Sequence, residues 1–234
     1  MKALINATLI TTALLAGTVA NATDFNVRIT NLTNGIWYTP FLVAAHPVGT
    51  SIFTTGQPAS ASLQAMAEGG AISGLVADLQ VIGATIAENP AGGLLPPAMS
   101  ANVDMNTDGT SNILLSVVAM LLPTNDAFAG LNSITIPTAA GTYTFYLPAY
   151  DAGTEANDEL ITGGGAPGVP GIPADPGGLG GTGGTGAAAA DANGNVHIHR
   201  NALGDTDAAA GVSDLDSRVH RWLNPVVRVV VTVQ

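Results

Sequence analysis

The last stretch of the chain alternates in a way that leaves little choice of conformation. Val227, Val229, Val231 and Val233 fall on one face of an extended segment, and Val226, Arg228, Val230 and Thr232 on the other. Successive side chains of a strand point to opposite faces, and β-branched residues suit that pleated surface, so the run predicts a strand. The period recurs upstream. Phe25 to Thr30 reads as a half-buried strand, turn residues occupy Asn31 to Gly35, and Ile36 to Ala45 reads as a second strand. Met99, Ala101, Val103 and Met105 line one face of a third. That segment reads as the first arm of a hairpin turning through Asp104 to Gly109. Its second arm, Asn112 to Leu122, is apolar on both faces and therefore central. Further strands are predicted at Ser133–Ile136, Gly141–Ala149 and Asn195–Arg200. Two short helices interrupt them. Ser60 is placed to cap one carrying Leu63, Met66 and Ala67 and stopped by Gly69-Gly70, and Ser73 to cap another carrying Leu75, Leu79 and Ile82. About eight short strands, two or three short helices and no βαβ alternation predict an all-β fold, an antiparallel β-sandwich.

Length and charge narrow the function. The chain has 234 residues with 6 Lys+Arg against 17 Asp+Glu, a net charge of −11, and 47% of its residues are hydrophobic. One sizeable core fits that length. So acidic a surface repels a phosphate backbone, which excludes nucleic acid as the expected partner. Lys2 is the only lysine, so a Schiff-base lysine, a phosphate-loop lysine and a polybasic lipid patch are excluded as well. Cysteine is absent, which removes disulfides and thiolate metal sites together. Residues 1–22 read as a signal peptide. Met1-Lys2 gives the positive end, Ala3 to Ala16 the apolar stretch, and Ala20-Asn21-Ala22 a small-x-small cleavage site before Thr23. No later run approaches the ~20 apolar residues of a membrane helix. The expectation is an exported protein, extracellular or periplasmic, with one domain over 23–234 and no transmembrane segment in the mature chain.

Residues 163–190 stand apart, with 12 Gly and 4 Pro among 28 residues and Asp175 as their only charge. The G-x-G-x-x-G spacing at Gly178, Gly180 and Gly183 lacks the flanking strand and helix of a dinucleotide site, so the segment reads as a solvated loop inserted into the domain.

Candidate chemistry is confined to carboxylates and histidines. Asp151 and Glu155 follow directly on a strand, with Asp158 and Glu159 close behind, and carboxylates gathered at loop tips repel unless a cation such as calcium joins them. A solvated acidic loop accounts for the same residues. Asp104-x-Asn106-x-Asp108-Gly109 begins like a calcium loop, but Leu115 stands where the bidentate Glu is needed, and a β-turn explains it without metal. His197 and His199, two apart on a strand, share a face, and with His46 they could form a nitrogen-rich copper or zinc site. Two ordinary surface histidines are the plainer reading. No local hydrolase motif occurs, so a secreted hydrolase would need a site assembled in space.

Two segments carry a family likeness. Leu122-Pro123-Thr124-Asn125-Asp126-Ala127-Phe128-Ala129-Gly130-Leu131 is similar to the P-S-P-D-W-F-V-G segment of the spondin N-terminal domain. Pro148-Ala149-Tyr150-Asp151-Ala152-Gly153-Thr154-Glu155 is similar to that family's Y-P-x-D-A-G-T-D segment. The opening strand, Ser51-Ile52-Phe53 and Trp222-Leu223-Asn224-Pro225 resemble its bacterial branch. The resemblance covers Asp24 to about Glu159 and then Val196 to Val233, leaving out the Gly-rich loop. It implies a sandwich akin to calcium-dependent lipid-binding domains and a secreted, non-enzymatic attachment role. The implied partner is a cell-surface or extracellular-matrix component, a glycan or lipid among the candidates. It also implies calcium held by Asp126, Asp151 and Glu155. Glu155 replaces an Asp of the family and lengthens that ligand; Ala127 replaces its Trp and removes an aromatic contact. Animal members carry disulfides and thrombospondin-type repeats, and this chain has neither.

Overall fold

The computed structural model describes residues 24–187 and 194–234. The signal-peptide reading over 1–22 and the end of the Gly-rich segment at 188–190 lie outside those residues. In chain order the strands are β1 (Asp24–Asn31), β2 (Trp37–Tyr38), β3 (Leu42–His46), β4 (Thr85–Glu88), β5 (Ser100–Asn106), β6 (Leu114–Leu122), β7 (Ala127–Thr135), β8 (Gly141–Leu147), β9 (Ala149–Asp151), β10 (His197–Ile198) and β11 (Val227–Val233). The helices α1 (Ala61–Gly69) and α2 (Ser73–Val81) lie between β3 and β4.

The strands form two antiparallel sheets. One has the order β5-β1-β11-β8; the other runs β10-β9-β7-β6-β3-β4, with β2 paired to β6. The fold is therefore the all-β sandwich that the alternation predicts. Val227, Val229, Val231 and Val233 do face the core, with Val27 and Ile29 beside them and Val117, Ala119 and Leu121 opposite. β6 is buried on both faces because its other side, through Val118, Met120 and Leu122, meets the helices. Leu63, Met66 and Ala67 of α1 and Leu75, Val76 and Leu79 of α2 supply that second layer.

Local signals explain most of the boundaries. The Ser60 side chain accepts the Leu63 amide at 3.1 Å, and Gly70, at φ 72°, closes α1 in the left-handed conformation a Cβ disfavours. Ser73 does not cap α2: the cap position belongs to Ile72, whose side chain has nothing to offer the free amides.

Other expectations change too: Ile36 to Ala45 is not one strand but β2 and β3, broken at 39–41. β5 and β6 are not a hairpin: β5 pairs with β1 in one sheet and β6 with β3 and β7 in the other. The Asp-Gly connection between them crosses the sandwich. Alternation identified both strands but carries no information on which sheet each joins. The Gly-rich segment is also not solvated throughout its described part: 166–170 are exposed, but Gly171 and Ile172 are buried. Ile172 is fully buried in the core, and Gly165 packs so closely on α1 that a Cβ on Gly69 would meet its carbonyl oxygen. Glycine lets backbone approach backbone, so the segment folds by hydrogen bonds and close contact instead of by large side chains.

Candidate metal site

Asp126 sits between β6 and β7, and Asp151 ends β9, directly opposite Ala127 in the β7–β9 register. Pairing of these strands brings the two predicted loops together. Asp126 is fully buried. Its Oδ2 accepts the Thr154 amide at 2.8 Å, the Thr154 hydroxyl at 3.2 Å and the Glu155 amide at 3.0 Å. Its Oδ1 is buried with no partner. Glu155 shows the same division. Oε2 accepts the Gly171 amide at 3.2 Å and lies 3.5 Å from the Asn125 amide nitrogen, while Oε1 is buried without a partner. Asp151 is engaged at both oxygens: Oδ1 accepts the Gly153 amide at 2.7 Å and Oδ2 the Asn157 side-chain amide at 2.8 Å.

The electrostatics follow from that burial. The Asp126 carboxyl is pushed up to about 7, first by burial and then by the charge of Asp151, against the pull of the three donors on Oδ2. The Glu155 carboxyl is also pushed up to about 7, first by burial; the Gly171 and Asn125 hydrogen bonds lower it, and the charges of Glu68 and Asp126 add to the rise. Protein hydrogen bonds satisfy one oxygen of each group and leave the other for a cation or a proton. Among the described residues, no three His, Asp or Glu side chains stand ready-made around a metal-sized point. A calcium ion here would take oxygens from Asp126 and Glu155 and complete its shell with carbonyl oxygens or water. Asp151 carries one protein hydrogen bond on each oxygen and keeps further lone pairs, and its charge adds to the rise of Asp126.

The histidines are not brought together as a group. His197 and His199 do share a face, with their Nε2 atoms 3.7 and 3.9 Å from Asp151 Oδ2. His46 is in the same sheet but separated from β10 by β9, β7 and β6. Its ring contacts Ser116 Oγ at 2.8 Å and the Pro47 carbonyl at 3.2 Å, and burial lowers its basicity. His199 accepts the Asn201 amide at Nδ1, so its Nε2 carries the proton given to Asn157 Oδ1 at 3.0 Å. Both nitrogens are spent, and burial holds this ring below the usual histidine range. The His46–Ser116 contact is fully buried on both sides and offers a substrate no approach.

Sequence reasoning did not single out Asn125, Asn157 or Gly171. The two asparagines tie Asp158 and Asp151 into the site, at 2.8 Å each, and Gly171 binds Glu155 from the Gly-rich segment. The position of Asn125 next to Asp126, and of Asn157 two residues after Glu155, was the available signal. No local pattern in the glycine-rich stretch points to Gly171.

No curated protein matches the chain. A family model described as Spondin_N matches residues 24–160, which include both acidic loops and nine of the eleven strands. The chain belongs to the spondin N-terminal domain family.

Proposed function

We propose that the protein is an extracellular recognition module, attaching to a cell-surface or matrix component without catalysis, whose acidic loops are fixed by calcium. Membership of the spondin family supports the recognition role. One observation supports calcium: Asp126 Oδ1 and Glu155 Oε1 are buried and unpartnered, in two carboxylates otherwise held by hydrogen bonds. Burying a carboxylate oxygen without a partner is costly, and a hard dication accepts such oxygens directly. When bound, the ion neutralises these charges; the chain's own residues orient the oxygens, through the Thr154, Glu155 and Gly171 amides.

Calcium binding must then displace protons, because both carboxyls are pushed up to about 7. Titration calorimetry at pH 7, in two buffers of different ionisation enthalpy, measures that release. The expected result is a saturable calcium isotherm with net proton release, weakened in Glu155→Gln. Absence of any calcium heat would remove the reading.

A further inference from the structure

The helices cover only one of the two sheets, packing on β3, β4, β6 and β7. The outer face of the β5-β1-β11-β8 sheet is uncovered among the described residues, and two of the chain's five arginines stand on it. Arg28 pairs with Val230 in the β1–β11 register, and Thr30 pairs with Arg228. Arg28 and Arg228 are therefore diagonal neighbours on one face, with Cβ atoms ~7 Å apart. Among the described residues neither has a hydrogen-bond or ion-pair partner, and the Nε of Arg228 is buried without one. By contrast, Arg218 is clamped by Asp216 at 2.6 Å. The nearest acid on the face, Asp104, lies one row further along β5 and accepts the Asn26 amide at 2.8 Å. Two unpaired like charges side by side are unfavourable, and a chain with a net charge of −11 has no shortage of carboxylates to pair them. Asp24 stands two rows from Arg28 on β1 and accepts the Asn106 side-chain amide; nearer the arginines the face is hydroxyl and amide, with Val230 and an aromatic ring. Tyr146, directly across from Arg228 on β8, is 60% exposed, and Thr144 and Asn102 flank the Arg28 row in the open.

We infer that this sheet face binds an acidic polysaccharide, with Arg28 and Arg228 taking its carboxylate or sulfate groups. Guanidinium forks match the paired oxygens of such anions. Exposed hydroxyl and amide groups suit sugar hydroxyls, and the Tyr146 ring suits the apolar face of a pyranose. A membrane is the poorer partner, because the side chain facing outward between the arginines is only Val230, itself partly buried, and insertion needs an exposed apolar surface.

The surface lies apart from the acidic loops and is tested without calcium. The full chain is passed at low salt, in chelator, over immobilised polygalacturonate, dextran sulfate and neutral dextran, and mixed with anionic phospholipid vesicles. Retention on either acidic polymer and not on dextran is expected, with affinity at least about tenfold weaker in Arg28→Gln, the loss of one charge-assisted contact. Arg28 is exposed, so that variant folds even if Arg228→Gln does not. No retention, equal retention of Arg28→Gln, or binding confined to the vesicles overturns the inference.

Discussion

At the scale of single residues, Asp126 and Glu155 each make the stability of the protein depend on pH. Their folded-state values, about 7, lie above those of the free side chains, so the folded state binds protons more tightly than the unfolded one. Stability from these groups is complete below pH ~4 and is lost as pH rises through about 7. Relative to Asp126→Asn, the metal-free protein should therefore lose stability from pH 5 to pH 8, read by circular dichroism in chelator. Burial lowers the basicity of His46, His199 and His220, which act in the opposite sense in both proteins and cancel in the comparison. A flat or rising difference over that interval would mean the Asp126 carboxyl is already satisfied. Asp126→Asn removes the buried charge while Oδ still accepts the Thr154 and Glu155 amides. It should stabilise the metal-free form at pH 8 by an amount on the order of a few kcal/mol and remove the Asp126 share of the pH slope, leaving that of Glu155.

At the scale of elements, α1 and the Gly-rich segment give opposite lessons. Ser60→Ala removes the hydrogen bond to the Leu63 amide and should cost about 1 kcal/mol, a fall of roughly 2–4 °C in the midpoint for a domain of this size. No change would mean that the first turn of α1 is held by packing alone. Ile172→Ala opens a cavity in a filled core and should cost about 2–5 kcal/mol in denaturant melts; a loss under ~1 kcal/mol would restore the segment to a solvated loop. The cap of α1 and the valine face of β11 were legible because each is written in neighbouring residues. The packing of residues 163–187 was not, since glycine backbone contacts leave no apolar pattern. The same limit explains the sheet assignments of β5 and β6: period two specifies which side of a strand is buried and nothing about its partner. Asp126, Asp151 and Glu155 stand out in the sequence through their family likeness, and pairing of β7 with β9 brings their loops together. The division between partnered and unpartnered oxygens was not legible, because it depends on which amides the folded loops present.

At the scale of the whole molecule, calcium-linked folding is the central claim. Asp126 and Glu155 lie 29 residues apart and meet only when β7 pairs with β9, so an unfolded chain cannot offer the same site. A ligand of the native state alone stabilises by RT ln(1 + [L]/Kd), about 2.7 kcal/mol at a hundredfold excess over Kd, which is a rise of roughly 5–10 °C here. The direct measurement is a set of melting curves at pH 8 and fixed ionic strength, in calcium, magnesium and chelator, for the natural sequence and Asp126→Asn. The account predicts a rise of that size in calcium, little in magnesium, whose small octahedral shell suits flexible loop oxygens poorly, and none in the variant. Superimposable curves for the natural sequence in calcium and chelator, or an equal calcium shift in Asp126→Asn, would contradict it.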